Sequence, residues 1–357
     1  MNTYDVPVFK KTGFNNQLYK RLQTEDILKR LNEISSGRLY LEIGGKLLSD
    51  PHAARVLPGF DHKVKIDVLK SLGVSFDIIF CMNYNDILGN RQLNNRQQEY
   101  VEASLKLYTQ IQQTFNVIPK VCINNVKRDD TDNRISYEKA LQEIRAYSPT
   151  IYQRYYIDNY PEDTNRILSS EGFGKDDKIE VENKLVIVTG AASNSGKMST
   201  CLGMVYMDSQ SGLNSGYSKY ETFPIWNLPL EHPVNLAYEA ATADIGDKNV
   251  IDTYHQQAYS ATVVNYNRDI EAFRVLKKLS NLNYKSPTEM GINYAGFAIT
   301  NDEVVCIAAL EEIKRRKQWY KEIYNHQQTW IKACEELELD ALRYIKTKNY
   351  DHRLQIV

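Results

Sequence analysis

The sequence predicts an α/β fold in which a doubly wound, mostly parallel sheet domain precedes a second α/β domain. Segments with strand and helix periodicity alternate through the first half of the chain, as helical crossovers between parallel strands require. Residues 184–200, KLVIVTGAASNSGKMST, combine an apolar strand, a turn of small residues and the start of a helix. The length of 357 residues exceeds one ordinary core, and 42% hydrophobic residues suits a folded protein.

The first predicted domain, residues 1–165, alternates helices with short strands. Its predicted helices carry apolar residues at helical spacing and cover 16–34, 63–72, 91–115 and 134–147. Its predicted strands are apolar runs at 39–43, 75–82, 120–126 and 150–157. The order of these segments along the chain indicates parallel strands joined by helices.

The second predicted domain, residues 184–300, follows an interdomain linker at 166–183. Its predicted strands and helices cover 184–190, 196–208, 215–221, 232–243, 248–260 and 267–281, the first and third being the strands. A helical extension is predicted for 301–357, with one long charged helix at 302–345. Its densest charges, at 311–322, are interpreted as a solvated face.

The turn within 184–200 has the composition of a phosphate-binding loop. Backbone N–H groups can converge on one anion only where the side chains are small. The positive end of the following helix dipole, and a lysine at the helix start, would add to the attraction. The predicted phosphate- or nucleotide-binding residues are Gly190, Ala191, Ser193, Asn194, Ser195, Gly196, Lys197, Ser199 and Thr200, with Lys197 on the outer phosphate.

This loop departs from the usual phosphate-loop pattern in two ways. Five residues separate Gly190 from Gly196 where the pattern has four, and Met198 occupies the position of the magnesium-binding hydroxyl. Ser199 or Thr200 could supply that hydroxyl instead. A strand-to-helix turn kept small for packing is the alternative interpretation.

The five-residue spacing resembles the variant loop of dethiobiotin synthetase and related ATP-dependent amidoligases. GYSK, residues 216–219, is similar to the next strand of those enzymes, which carries a second lysine beside the phosphates. In such an enzyme Lys219 would stabilise charge as an acyl phosphate forms, and Glu221 is predicted to face the same reacting group. The other interpretation of Lys219 is a strand-end lysine in solvent.

Six blocks spread over nearly the whole chain follow the pattern of one family, at 37–60, 169–177, 195–203, 216–252, 264–273 and 285–293. They resemble the uncharacterised bacterial family called domain of unknown function 1846. The resemblance implies a Rossmann-like first domain and a P-loop-like second one, and it implies no activity. Members usually continue into a further C-terminal domain, so we expect a truncated or divergent member with a partly missing pocket. Their loop is typically richer in proline and glycine, a difference expected to alter loop stiffness more than phosphate access.

A second group of candidate ligand contacts follows the first predicted strand. Gly44, Gly45 and Lys46 lie at its carboxyl end, where ligands bind in open sheets, and His52 and Arg55 come shortly afterwards. Arg55 would clamp an anion and His52 would transfer a proton. A tight turn with a capping histidine is the alternative.

A third group lies within the predicted linker and consists of Glu171, Gly172, Gly174 and Lys175. Its glycines would let the backbone approach a ligand closely, and its charged ends would reach the cleft between the domains. The alternative is a linker without a binding role.

Together these features predict a protein that binds ATP, another nucleotide or a phosphorylated metabolite between its domains. Mg²⁺ is the expected cofactor, held by Ser199 and Asp244. Phosphoryl transfer or ATP-driven ligation is the expected chemistry, with Lys197, Lys219 and Glu221 as the catalytic residues. The rival hypothesis is a binding module without turnover, whose domains close on a nucleotide or metabolite.

Bulk properties bound the remaining partners. A formal net charge of −1 gives no electrostatic reason to expect nucleic acid or an anionic membrane. No secretory signal is present, nor an apolar run of about 20 residues, so we expect a soluble cytoplasmic protein that could form a homo-oligomer. The five cysteines are widely spaced, which predicts small core residues in a reducing compartment and no disulfide framework.

Overall fold

The computed structural model describes residues 9–93, 98–279, 282–323 and 328–351, and its centre is a parallel β-sheet. The strands, numbered in chain order, are β1 Leu39–Ile43, β2 Phe76–Asn83, β3 Gln92–Leu93, β4 Gln98–Glu99, β5 Lys120–Val126, β6 Ile151–Tyr155, β7 Leu185–Gly190, β8 Gly216–Tyr220, β9 Asn249–Ile251, β10 Val264–Tyr266 and β11 Gly291–Ile292. Seven of them form the sheet in the order β11–β8–β1–β7–β2–β5–β6, and every neighbouring pair is parallel.

Helices connect and cover these strands. Numbered in chain order, they are α1 Asn16–Glu33, α2 Pro51–Val56, α3 Val64–Ser71, α4 Tyr84–Leu88, α5 Tyr100–Phe115, α6 Arg134–Arg145, α7 Thr164–Ile167, α8 Lys197–Gln210, α9 Pro233–Ala241, α10 Thr253–Tyr259, α11 Asn267–Leu276, α12 Pro287–Met290, α13 Ala295–Ala298, α14 Asp302–Ile323 and α15 Gln328–Thr347. A single 3₁₀ turn, Phe173–Lys175, precedes β7. None of the helices in the described ranges is apolar over enough length to cross a bilayer.

Both faces of the sheet are buried, as the predicted Rossmann-like α/β fold requires. Ile187 on β7 joins one hydrophobic cluster, with α1, α5 and α6, whereas its neighbour Val188 joins a second cluster with α8 and α11. Successive side chains of a strand point to opposite faces, so an uninterrupted apolar strand such as β7 needs helices on both sides. The prediction of a parallel α/β sheet is confirmed, and all five cysteines are buried and free.

The sheet interleaves strands from the two segments predicted as separate domains. β7 lies between β1 and β2, with Leu41 opposite Ile187 and Ile79 opposite Val188. Strands on both sides of 166–183 therefore share one sheet. Within that segment, the Phe173 ring packs 6.2 Å from the Tyr206 ring of α8.

Several predicted helices have different bounds in the structure. The helix predicted at 91–115 begins at Tyr100, because the antiparallel strands β3 and β4 precede it. The helix predicted at 248–260 is β9 followed by α10, whose N-cap Asp252 accepts a hydrogen bond from the His255 amide at 2.9 Å. The helix predicted at 302–345 is two helices, α14 and α15. The helix predicted at 267–281 is α11, and residues 280 and 281 of that range lie outside the described residues.

The interpretation of 311–322 as a solvated face is wrong: residues 311–313 and Tyr320 are buried, 314–319 are half-buried, and within this segment only 321 and 322 are exposed. Glu312 is fully buried and Glu311 is 6% exposed. A buried carboxylate needs charged partners, and Glu312 finds them on α2, more than 250 residues earlier in the chain.

Candidate functional site

The candidate site lies where β7 ends, beside the carboxyl ends of β2 and β5. All strands of the sheet run the same way, so their carboxyl ends meet at one edge, where open α/β sheets bind ligands. The loop from β7 to α8 spans residues 191–196.

Side chains from the neighbouring strands hold the carbonyl groups of this loop. The Asn83 amide, at the end of β2, donates to the Asn194 carbonyl at 2.7 Å, and the Asn124 amide on β5 donates to the Ser195 carbonyl at 2.9 Å. Arg91 donates to the Ser193 carbonyl at 3.2 Å. These contacts give three successive carbonyls of the loop hydrogen-bond donors from outside the loop.

The backbone N–H groups of the loop differ from its carbonyl groups in their hydrogen bonding. Within the described residues, no backbone N–H from Ala191 to Ser199 donates to any acceptor of the protein. Asn194 and Gly196 have left-handed backbone conformations, with φ of 63° and 84°. Alternation of left-handed and ordinary conformations is what makes neighbouring amides converge in an anion-binding nest.

Close packing explains both loop glycines. A Cβ on Gly196 would lie 2.5 Å from the Asn124 side chain, and one on Gly190 would lie 2.7 Å from the Cys81 carbonyl. The loop is therefore small partly because it packs against β2 and β5. This packing coexists with the unbonded amides, so the two interpretations of the small residues are compatible.

Lys197 begins α8 and is half-buried. Its ammonium has no hydrogen-bond or ion-pair partner among the described residues. Burial lowers the pKa of Lys197, the nearby carboxylate of Glu42 opposes that shift, and the cations Lys219 and Arg268 add to it. Glu42 is itself buried and accepts a 2.7 Å hydrogen bond from the Tyr217 hydroxyl.

Arg268, at the start of α11, joins the loop to the segment before β9. Its guanidinium donates to the Asn194 side chain and forms an ion pair with Asp247, with 2.5 Å between Nε and Oδ1. Asp247 is 2% exposed. A cation thus lies beside the tip of the loop, close enough to Lys197 to affect its pKa.

Lys219 is enclosed by carboxylates, and the interpretation of a strand-end lysine in solvent is wrong. Its ammonium lies 2.8 Å from Asp269 and 2.9 Å from Glu221, and 4.2 Å from the centre of the Tyr266 ring. It is 3% exposed, since Asp269 of α11 and the Tyr266 ring of β10 pack against its ammonium. Although burial opposes it, the attraction of Asp269 and Glu221 raises the pKa of Lys219.

For Glu221, in contrast to Lys219, burial outweighs the attraction of the oppositely charged partner. Burial raises the pKa of Glu221 to about 8, against the attraction of Lys219 and with the repulsion of Asp269. The Tyr266 hydroxyl donates to its Oε1 at 3.2 Å. A carboxyl group that titrates near neutrality is suited to general acid–base chemistry.

The hydroxyl residues of the loop and first helical turn differ in their surroundings. Thr200 is fully buried, and its hydroxyl donates to the Asn124 side chain at 3.0 Å. The Ser195 hydroxyl is buried without a partner in the described part of the chain. Ser199 is half-buried in the first turn of α8, and Ser193 is exposed.

An open cavity of about 740 Å³ adjoins the loop at Asn194. Arg91 and Asp244 also line it, and Trp330 adds an aromatic wall. Asp244 is half-buried and accepts a 3.3 Å hydrogen bond from the Tyr320 hydroxyl. The volume lies within the range of small-molecule sites.

The group that follows β1 has partners of its own. The Lys65 ammonium donates to the Gly44 carbonyl at 2.7 Å, and Gly45 has a left-handed φ of 65°. His52 and Arg55 both bond to Glu312, at 3.0 Å and 2.7 Å. The anion that Arg55 clamps is thus a carboxylate of the protein itself.

The linker residues pack against the sheet domain. The Lys175 ammonium donates to the Tyr156 carbonyl at 3.0 Å, and Glu171 is exposed. A Cβ on Gly172 would collide with the carbonyls of Arg166 and Ile167, and one on Gly174 would lie 2.9 Å from the Ser169 carbonyl. The glycines therefore serve a tight local turn.

A metal-like trio, His232, Asp302 and Cys306, was not identified from the sequence. His232 Nε2 lies 2.9 Å from Asp302, and Nδ1 accepts the Val234 amide at 3.2 Å as the N-cap of α9. Because Nδ1 accepts, the neutral ring carries its proton on Nε2 and donates it to Asp302. Nε2, the ring nitrogen beside Asp302, therefore has no lone pair to offer a metal ion.

The sequence comparisons give the family. A family model described as "Domain of unknown function DUF1846, N-terminal" matches residues 12–344. The chain belongs to this family. Its similar relatives include UPF0371 proteins of Streptococcus equi subsp. zooepidemicus, Streptococcus uberis and Streptococcus pyogenes, each 42% identical over 312 residues. The match covers 86% of this chain and 62% of each relative, so the chain spans about three fifths of their length.

In this DUF1846 chain, the predicted site residues are surrounded by others that the sequence pattern did not indicate. They are the two asparagines that hold the loop, Asn83 and Asn124, and the charged partners Glu42, Arg268 and Asp269. Asn83 and Asn124 carried a signal, since each is a polar residue near the end of an apolar strand run. Arg268 and Asp269 fall inside the block 264–273 that carried the family resemblance.

Proposed function

We propose that the chain binds a phosphorylated small molecule, with ATP or another nucleotide as the first candidate, at the loop between β7 and α8. The observation that carries the proposal is the combination of unbonded loop amides and an unpartnered Lys197 ammonium. Amides in a nest, the positive end of a helix and a lysine are the groups that bind phosphate oxygens in P-loop proteins. Arg268, beside Asn194, would add a second cation.

The cavity beside Asn194 supplies room for the rest of the ligand. Its volume of about 740 Å³ would accommodate a nucleotide, and the Trp330 wall would offer a surface for stacking. Ser199 and Asp244 are the candidate ligands for a magnesium ion that accompanies the phosphates. Both are half-buried, and Asp244 borders the cavity.

Phosphoryl transfer or ATP-driven ligation is the chemistry that we propose for this site. Lys197 would stabilise the transferred group, and Glu221, with its pKa raised to about 8 by burial, would exchange a proton with the acceptor substrate. Lys219 would act through Glu221 and Asp269, whose carboxylates it already contacts.

The second candidate function is binding without turnover, and the same ion pairs favour it. An ammonium between two carboxylates has little charge left for a transferred phosphate. The curated relatives carry family names that state no activity, and the chain covers only 62% of their length.

The binding proposal is tested with a thermal-shift and calorimetric screen of nucleotides and phosphorylated metabolites, with and without magnesium. A ligand at 100 times its Kd should add about 2.7 kcal/mol to the free energy of unfolding. Lys197→Met should lower the affinity for that ligand by about tenfold or more, because a charge-assisted hydrogen bond contributes roughly 1.5 to 3 kcal/mol.

The matched control is Lys106→Met, at an exposed position of α5. Its affinity should equal that of the wild type. Equal affinity in Lys197→Met, or stabilisation by none of the phosphorylated ligands, would refute the proposal. Magnesium-dependent consumption of ATP that is lost in Lys197→Met would select the enzyme over the binding module.

A further inference from the structure

We propose that Cys81 and Cys122 form an oxidisable dithiol beneath the loop between β7 and α8, which a hydroperoxide converts reversibly to a disulfide. The two residues lie on neighbouring strands, Cys81 on β2 and Cys122 on β5. The disulfide would weaken ligand binding at the loop. This second step rests on the proposed function, whereas formation of the disulfide does not.

The backbone places the two cysteines side by side. Cys81 and Cys122 are paired residues of the parallel strands β2 and β5. Paired Cα atoms of neighbouring strands lie about 4.8 Å apart, and a disulfide needs about 4.4 to 6.8 Å between its Cα atoms. The strand pairing therefore meets the main distance requirement for a disulfide.

Their side chains meet at one atom on the same face of the sheet. The Cys81 sulfur lies 3.4 Å from the Thr200 hydroxyl oxygen, and the Cys122 sulfur lies 3.9 Å from the same oxygen. Both cysteines belong to the hydrophobic cluster on the α8 side of the sheet, and all three residues are fully buried. Because both sulfurs contact one hydroxyl group, they lie together under the first turn of α8.

The surroundings of Cys81 favour the thiolate, which is the nucleophile in thiol oxidation. Although burial opposes the shift, hydrogen bonding with Cys122 and Thr200 lowers the pKa of Cys81. The positive charges of Lys197 and Arg154 add to that effect. Burial and the neighbouring Cys81 raise the pKa of Cys122, so the pair consists of one thiol that attacks and one that resolves the product.

The reaction consumes one molecule of hydrogen peroxide. The Cys81 thiolate attacks one peroxide oxygen, the O–O bond breaks, and the hydroxide that leaves takes up the proton lost by Cys81 to form water. The Cys122 thiol then attacks the sulfenic acid on Cys81, and the S–S bond forms as the S–O bond breaks and a second water leaves. Two electrons pass from the sulfurs to the peroxide, and a dithiol reductant reverses the change.

Peroxide reaches the buried pair from the side of the loop. A Cβ on Gly190, where β7 ends, would lie 2.7 Å from the Cys81 carbonyl, so the loop begins directly beside this cysteine. Among the described residues, the N–H groups from Ala191 to Ser199 donate to no acceptor of the protein. A local opening of the loop therefore breaks few backbone hydrogen bonds, and a molecule as small as hydrogen peroxide needs no larger opening.

Thr200 connects the dithiol to the conformation of the loop. Its hydroxyl donates to the Asn124 side chain at 3.0 Å, and the Asn124 amide donates to the Ser195 carbonyl at 2.9 Å. In the reduced protein the Cys81 thiol donates to the Thr200 oxygen, and a disulfide has no S–H group to donate. The disulfide would therefore disturb the contacts that hold the loop carbonyl and weaken the binding of an anion.

The test treats the reduced protein with hydrogen peroxide under native conditions, alkylates the remaining thiols in denaturant and maps the peptides by mass spectrometry. We expect two of the five thiols to be lost to one disulfide that links Cys81 to Cys122, and dithiothreitol should restore both. Cys122→Ser should abolish this disulfide. Cys334→Ser is the control, because its buried thiol contacts a carbonyl of α9 instead, and it should form the disulfide as the wild type does.

Five intact thiols after peroxide treatment, or a disulfide between any other pair of cysteines, would overturn the proposal. Mapping the wild-type protein gives this answer even if a substitution of a buried cysteine impairs folding.

Calorimetry with inorganic pyrophosphate tests the second step separately. Affinity should fall about fivefold or more on oxidation of the wild type, the equivalent of one hydrogen bond, and should be unaffected by peroxide in Cys122→Ser. Equal affinity of the reduced and the disulfide-bonded protein would overturn the effect on the loop. Absence of binding to the reduced protein would refute the loop site together with this second step, and the disulfide would stand on the peptide map alone.

Discussion

The ammonium of Lys219 lies 2.8 Å from the carboxylate of Asp269, and both side chains are buried. Glu221 contacts the same ammonium at 2.9 Å, so one cation faces two carboxylates at the carboxyl edge of the sheet. Lys219 belongs to β8, Glu221 directly follows that strand, and Asp269 belongs to α11. Their contacts therefore connect the end of β8 with α11.

Asp269→Asn should strongly destabilise the protein. Losing one partner of a buried ion pair typically costs about 3 to 5 kcal/mol, because the other charge stays buried without compensation. Loss of the Asp269 charge removes one cause of the raised pKa of Glu221, so the Glu221 carboxylate can pair with Lys219 and should hold the loss near the lower end of that range. The free energy of unfolding in urea measures it.

A surface pair provides the comparison for that experiment. Arg21 and Glu25 on α1 lie 3.5 Å apart with more than half of each side chain exposed. Glu25→Gln should change the free energy of unfolding by about 0.5 kcal/mol or less. Similar effects of Asp269→Asn and Glu25→Gln would show that the Lys219 cluster is not the buried pair described above.

Gly196→Ala and Gly212→Ala separate backbone strain from close packing. Both glycines have a left-handed φ, 84° and 74°, so alanine at either position should cost about 1 to 2 kcal/mol. Only at Gly196 would the new Cβ meet another group, the Asn124 side chain at 2.5 Å, whereas nothing lies within 4 Å at Gly212. Gly196→Ala should therefore be the more destabilising substitution.

Ligand binding distinguishes the two variants further. Displacing Asn124 would release the Ser195 carbonyl, which that side chain holds at 2.9 Å. The phosphate affinity of the loop should then fall in Gly196→Ala and remain at the wild-type level in Gly212→Ala. Calorimetry at a temperature where both variants are folded measures this, and equal affinities would contradict the role given to Asn124.

Local sequence patterns were enough to predict the main strands, the loop and the start of α8. The apolar run 184–190 followed by small residues and a lysine has few alternative structures, and the observed strand and helix, Leu185–Gly190 and Lys197–Gln210, begin and end close to the predicted bounds. Such features depend on neighbours within about ten residues. The local sequence pattern is therefore sufficient to predict these elements.

The ion pairs of the buried charged residues depend instead on how distant segments of the chain are arranged in the fold. Asp269 lies 50 residues after Lys219, and Glu312 lies 257 residues after Arg55. Their contacts exist only because β8 lies inside the sheet and α14 packs near α2, and the sequence pattern does not give those positions. Charge density suggested a solvated helix face at Glu312 for the same reason, since its compensating cations were too distant to be recognised.

Glu221 should make the stability of the protein fall as pH rises from about 4.3, the usual glutamate value, toward 8. Burial raises the pKa of Glu221 to about 8 in the folded state, so over this window the folded state binds its proton and the unfolded state does not. The contribution is fully present below the unfolded pKa and is lost as pH rises through the folded pKa. Glu221→Gln removes the titration and should flatten this part of the profile.

Urea unfolding between pH 5 and pH 8.5 measures this effect, with Glu33→Gln at the exposed end of α1 as the control. The difference in the free energy of unfolding between Glu221→Gln and the wild type should grow in favour of the variant as pH rises. A difference that stays constant across the window would mean that Glu221 is ionised throughout, and it would remove this residue as the proton acceptor of the proposed reaction.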